Sequence, residues 1–175
     1  KAMKVLRSIA DALSAIHQLG IIHRDIKTEN IFLSISGKKA NPKLMDFGLA
    51  RSESSRVTRS GVIVGTVAYM SPEQALGQPL GPETDLYSLG VVLFEMLTAQ
   101  TPFRGSSDVA ILSQIVHRPA PDIVQLRPDL PARLAELLQR GLFGPGDVAD
   151  LLAERRGGVE AQELQLLEER PRVAR

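Results

Sequence analysis

Asp25, Lys27, Asn30 and Asp46 are the residues of this chain whose types and spacing could do chemistry together. Asn30 follows Asp25 five positions later, and Asp46 comes after two short runs able to pair as a hairpin. That order can bring one carboxylate base and two oxygen ligands into a single site. Magnesium takes hard oxygen ligands and bridges phosphate oxygens, while a carboxylate beside an attacking hydroxyl orients it and accepts its proton. Lys27 adds a cation able to neutralise charge that develops on a phosphoryl group in transit. The chemistry this set suits is phosphoryl transfer with Mg2+ or Mn2+. The competing reading is a loop of solvated charges with no chemistry at all.

The elements around these residues follow from periodicity. Val5, Ile9, Ala12, Leu13 and Ile16 recur at helical spacing, with Lys4, Arg7, Asp11 and Gln18 off that face, and Gly20 is suited to a left-handed stop. Ile21-Ile22, Ile31 to Ile35 and Lys43 to Met45 read as brief strands, with a turn at Ser36-Gly37 and a loop through Asn41-Pro42. Arg51 to Ser60 has almost no apolar residue and reads as a surface loop. From Thr84 to Thr98 apolar residues cover nearly the whole circumference, the signature of a central buried helix. Ser106, Ser107 and Asp108 can cap a helix running to about His117, and Pro131 suits the first turn of another ending near Arg140. The fold class expected is mainly α with short β-strands.

The run His23-Arg24-Asp25-Ile26-Lys27-Thr28-Glu29-Asn30 and the triplet Asp46-Phe47-Gly48 resemble the catalytic loop and the metal-binding motif of protein kinases. Gly65-Thr66 followed by Tyr69-Met70-Ser71-Pro72-Glu73 is similar to that family's substrate-docking segment, with Ser71 where alanine is usual. The wording of Gly65 to Glu73 and of Leu89 to Phe103 looks most like bacterial serine/threonine kinases of the eukaryotic-like type. The resemblance implies a kinase C-terminal lobe that transfers the ATP γ-phosphate to serine or threonine of proteins. In that scheme Asp25 is the base, Asn30 and Asp46 hold magnesium, Lys27 contacts the γ-phosphate, and Thr66 hydrogen-bonds near Asp25 and Lys27. Phe32 forms the floor of the adenine pocket, and Phe32, His23 and Phe47 are all core packing residues first. Asp85 accepts hydrogen bonds from the catalytic-loop backbone, and Gly48 and Glu73 are structural. Arg24 beside the base suggests control by phosphorylation, with Thr58 and Ser60 the candidate acceptors. His17 and His117 read as ordinary helix residues.

The resemblance covers residues 1 to 140, taken as one kinase lobe, and leaves 141 to 175 as a divergent helical or partly disordered tail. The chain starts inside a helical pattern without an initiator methionine, and an excerpt from something longer is expected. No glycine-rich phosphate loop, strand lysine or paired glutamate precedes the catalytic loop, so the β-rich N-terminal lobe is expected to be missing. The isolated chain is then expected to be inactive, and a catalytically silent binding or scaffold module is the alternative. Glu73 also lacks its usual arginine downstream, leaving Arg140, Arg155 or Arg156 as substitutes.

Composition narrows the partners. Twenty-one basic and 20 acidic residues give a net charge of +1, so no global field favours nucleic acid or a membrane surface. The absence of cysteine removes disulfides, thiolate metal sites and cysteine nucleophiles, and cytoplasm is the default location unless sequence outside these residues supplies an anchor. The partners implied are ATP, a protein carrying the acceptor serine or threonine, the missing N-terminal lobe and an activating dimer partner.

Overall fold

Apolar residues three and four apart wind Ala2–His17 into helix α1 and turn Leu6, Ile9, Ala10 and Leu13 into the interior. Ala12, expected on that face, is exposed instead, because the stripe runs through Leu6 and Ala10. Gly20 takes φ +71°, the left-handed conformation that closes the turn after the helix. A computed structural model describes residues 2–36, 39–46 and 66–143. The turn at Ser36-Gly37, the loop 51–60 and the tail beyond 143 lie wholly or partly outside them.

The expected strand at Ile21-Ile22 does not form; both residues lie in an irregular, half-buried segment leading into the catalytic loop. Among the described residues two strands form, β1, Ile31–Ser36, and β2, Lys39–Leu44, antiparallel with Ile31 opposite Leu44 and Leu33 opposite Pro42. Pro42 was expected in a loop, yet it sits mid-strand. In a two-stranded sheet each strand has an outer edge, where a residue without an N–H sacrifices no ladder bond.

Helix α2, Pro72–Ala75, is a single turn, and helix α3, Pro82–Thr98, is the axis of the fold. Its run from Thr84 to Phe94 is almost entirely buried, as all-round hydrophobicity requires. Helix α1 and helix α6, Ala132–Phe143, both pack on α3, so Ile9 and Leu13 share one core with Val91, Val92, Phe94, Leu134 and Leu138. Each such side chain contributes roughly 1.5–3 kcal/mol on burial. Ser107 caps helix α4, Asp108–His117, by accepting the Ala110 N–H at 3.3 Å, and Asp122 caps the short helix α5, Ile123–Leu126. No helix among the described residues is long and apolar enough to cross a membrane.

Candidate active site

The loop between α1 and β1 is held by one carboxylate. Asp85, in the first turn of α3, is fully buried and accepts the backbone N–H of His23 on Oδ2 at 2.8 Å and that of Arg24 on Oδ1 at 2.7 Å. The same Oδ2 takes the Nε2 of His17 at 2.7 Å, at the end of α1. His17 is therefore not the ordinary helix residue its sequence setting suggested; it closes a three-way junction between α1, the loop and α3. A signal was present, since His17 follows Leu13 by one helical turn and interrupts an otherwise apolar stripe.

His23 is fully buried and its ring orientation can be deduced. Nε2 lies 3.1 Å from the Met45 carbonyl, which can only accept, so Nε2 carries the proton. Nδ1 then accepts the Asp25 N–H at 3.3 Å. Burial pushes the imidazole below its ordinary value of 6.5, opposed by the Met45 carbonyl and by the charges of Asp85, Asp25 and Asp46. A folded-state value below the unfolded one means that, between the two, the unfolded chain binds more protons. The His23 contribution to stability is thus complete above pH 6.5 and falls as pH drops below it. Urea unfolding between pH 7.5 and 5.5 should show this loss, and His23→Gln should flatten it; a slope unchanged by the substitution would assign the titration elsewhere.

The ring also ties the loop to the end of β2. Met45 donates its N–H to the Asn30 carbonyl at 2.8 Å, one step beyond the Ile31–Leu44 pair, so Asp46 follows directly on the hairpin partner of Asn30. Asn30 is buried, and its Nδ2 donates to the Asp25 carbonyl at 2.8 Å and to Asp25 Oδ2 at 3.0 Å. Lys27 Nζ reaches the same Oδ2 at 3.2 Å. Asp25, Lys27 and Asn30 thus form one cluster, and Asp46 is exposed. Arg24 at φ +67° and Asp46 at φ +54° both occupy left-handed backbone, which costs a non-glycine residue about 1 kcal/mol and persists only where neighbours fix it.

A divalent cation fits this donor set. The Asn30 nitrogen is committed to Asp25, which turns the amide oxygen into the available ligand atom; with Asp46 the donors are hard oxygens, suited to magnesium rather than zinc.

The docking segment meets the loop from the other side. A one-turn 3-10 helix, Val67–Tyr69, is buried, and the Tyr69 hydroxyl donates to Glu95 Oε2 at 2.7 Å and lies 2.9 Å from Thr28 Oγ1. Burial and the adjacent Glu95 carboxylate raise the phenol well above its ordinary range, so it stays a donor. Tyr69→Phe should lower stability by about 2 kcal/mol, because it strips a charged acceptor of its bond; thermal melting, falling by roughly 4–8 °C, checks it. Tyr69 was read only as part of a motif and Glu95 was not singled out, although it is the one acid between Leu86 and Leu97.

Other expected residues fall differently. Thr66 is exposed, and no hydrogen bond joins it to Asp25 or Lys27 among the described residues. Phe32 is 60 % exposed rather than a core residue, on the open face of the hairpin. Glu73 takes the Thr84 hydroxyl at 2.6 Å instead of an arginine; Arg155 and Arg156, and the side chain of Arg140, are outside the described residues, as are Phe47, Gly48, Thr58 and Ser60. His117 ends α4 as expected.

Residues 1–142 match the family described as the protein kinase domain. The chain belongs to the protein kinase family. Among relatives, it is 46 % identical over 129 residues to the DNA damage-responsive serine/threonine-protein kinase RqkA of Deinococcus radiodurans, covering 73 % of this chain and 19 % of that protein. It is 43 % identical over 118 residues to the serine/threonine-protein kinase pkn2 of Myxococcus xanthus, 65 % of this chain and 14 % of the relative. Over 135 residues it is 41 % identical to the serine/threonine-protein kinase PknL of Mycobacterium tuberculosis, 77 % of this chain and 33 % of the relative. The kinase segment thus spans a third or less of the length of these bacterial serine/threonine kinases.

Proposed function

We propose that this chain is the C-terminal lobe of an ATP-dependent protein kinase that phosphorylates serine or threonine. The observation that carries the reading is the cluster of Asp25, Lys27 and Asn30, joined by contacts of 2.8 to 3.2 Å, with Asp46 following Met45, the hairpin partner of Asn30, in a chain of the kinase family. Asp25 orients the acceptor hydroxyl and takes its proton. Lys27 offsets charge on the group being transferred, and Asn30 and Asp46 supply oxygens to magnesium. When bound, that ion neutralises phosphate charge and aligns the phosphate oxygens.

The open hairpin supports the lobe assignment. Phe32 and Met45 are exposed on one side of the hairpin and Leu33 and Ile35 on the other, apolar surface against which adenine and a second lobe can pack. Grip on the nucleotide then comes from sequence outside these 175 residues, and a cytoplasmic location gives access to ATP. Control by a phosphate on Thr58 or Ser60, drawn to Arg24, belongs to the same reading.

The test is a pair of assays with labelled ATP and a serine/threonine peptide. The full open reading frame should transfer phosphate, and residues 1–175 alone should give none that can be measured. Ordinary turnover by the 175-residue chain overturns the half-site reading; a full-length protein that binds partners without turnover favours the scaffold alternative.

A further inference from the structure

The Arg24 peptide is the most constrained point of the loop, and its two ends are held by different parts of the fold. Its N–H goes to Asp85 of α3 at 2.7 Å. Its carbonyl accepts the side-chain Nε2 of Gln74 at 2.9 Å, from α2 fifty residues on. Gln74 is itself locked. Its Oε1 accepts the Ser71 N–H at 3.1 Å, and its own N–H reaches Ser71 Oγ at 3.4 Å, a reciprocal capping box. The amide orientation has one solution, because the Arg24 carbonyl can only accept and the Ser71 N–H can only donate.

We propose that Gln74 is a positioning residue that couples the docking segment to the base, by clamping the Arg24 carbonyl and so fixing the direction in which the chain leaves for Asp25. Arg24 at φ +67° has a steric reason to relax to negative φ, and a peptide that rotates there carries the next residue with it. Asp85 fixes only the N–H side of this residue. Gln74 fixes the peptide that belongs jointly to Arg24 and Asp25, so order in the segment from Thr66 to Ala75 is transmitted to Asp25 without any contact between Gln74 and substrate.

Gln74→Glu separates the clamp from the cap. A carboxylate still accepts from Ser71 N–H, whereas residue 74 no longer offers a donor to the Arg24 carbonyl. In the full-length kinase this variant should lower kcat about tenfold or more, with KM for ATP and peptide within about twofold; tenfold corresponds to the upper end of the net worth of one neutral hydrogen bond. In the 175-residue chain, hydrogen exchange at the Arg24 and Asp25 amides should quicken by a similar factor while the melting temperature barely moves. Gln74→Ala, which removes clamp and cap together, should add a clear fall in melting temperature. Wild-type kcat in Gln74→Glu with unchanged exchange at Arg24 and Asp25 overturns the proposal. It rests on Asp25 as the base only for its kinetic half. If the full-length protein transfers no phosphate, the functional reading fails, and the exchange measurement still decides the clamp.

Discussion

Asp85→Ala should lower the stability of the chain by about 3–5 kcal/mol, the range for removing one partner of a buried charged network. The side chain is fully buried and receives two backbone N–H groups and the His17 ring, so truncation strands three donors where water cannot replace the acceptor. Asp85→Asn should cost nearly as much, although it is almost isosteric. Oδ1 takes Arg24 and Oδ2 takes both His23 and His17, so an amide set either way points its NH2 at a donor. Urea unfolding of the two variants checks this; an asparagine variant as stable as the parent would mean that the junction tolerates one acceptor.

Asp25→Asn should have the largest effect on chemistry with little effect on the fold. A positioned general base contributes roughly 10²–10⁴ in rate, so kcat of the full-length kinase should fall by about that factor. The carboxylate is mostly buried, but asparagine is nearly isosteric and its amide oxygen can keep accepting from Lys27 and Asn30 at the Oδ2 position. Melting temperature should therefore stay close to that of the parent. A variant that keeps most of its kcat would remove Asp25 from the role of base and leave the scaffold reading in front.

The contrast between these two aspartates shows what could be read from sequence. That Asp25 and Asn30 meet was legible because their spacing lies within a single loop, which local structure preserves. Helix α3 was legible because a helix buried on all sides has no polar face to hide. The short segments were not. Ile21-Ile22 is as β-branched as β1 but has no partner strand, and Pro42 was accepted in β2 only because that strand lies at an edge. His17 and Gln74 act through partners 68 and 50 positions away, a relation that neither periodicity nor a local motif encodes. Ser71 was read only as part of a motif, so neither its capping box with Gln74 nor the second donor left over for Arg24 was anticipated. For Glu73 the described residues supply the Thr84 hydroxyl of α3, a partner that no local pattern announces.

The β1–β2 hairpin has a practical consequence for anyone handling this chain. Ile35 is 77 % exposed, Phe32, Leu33 and Met45 are exposed near it, and among the described residues the sheet has only two strands, so each strand has an outer edge. Unpaired strand edges carrying β-branched and aromatic side chains are templates for intermolecular sheet growth. Concentrated preparations of these residues alone should therefore associate through the hairpin long before α3 unfolds, and a lysine in place of Ile35 is the single change that should keep them dispersed.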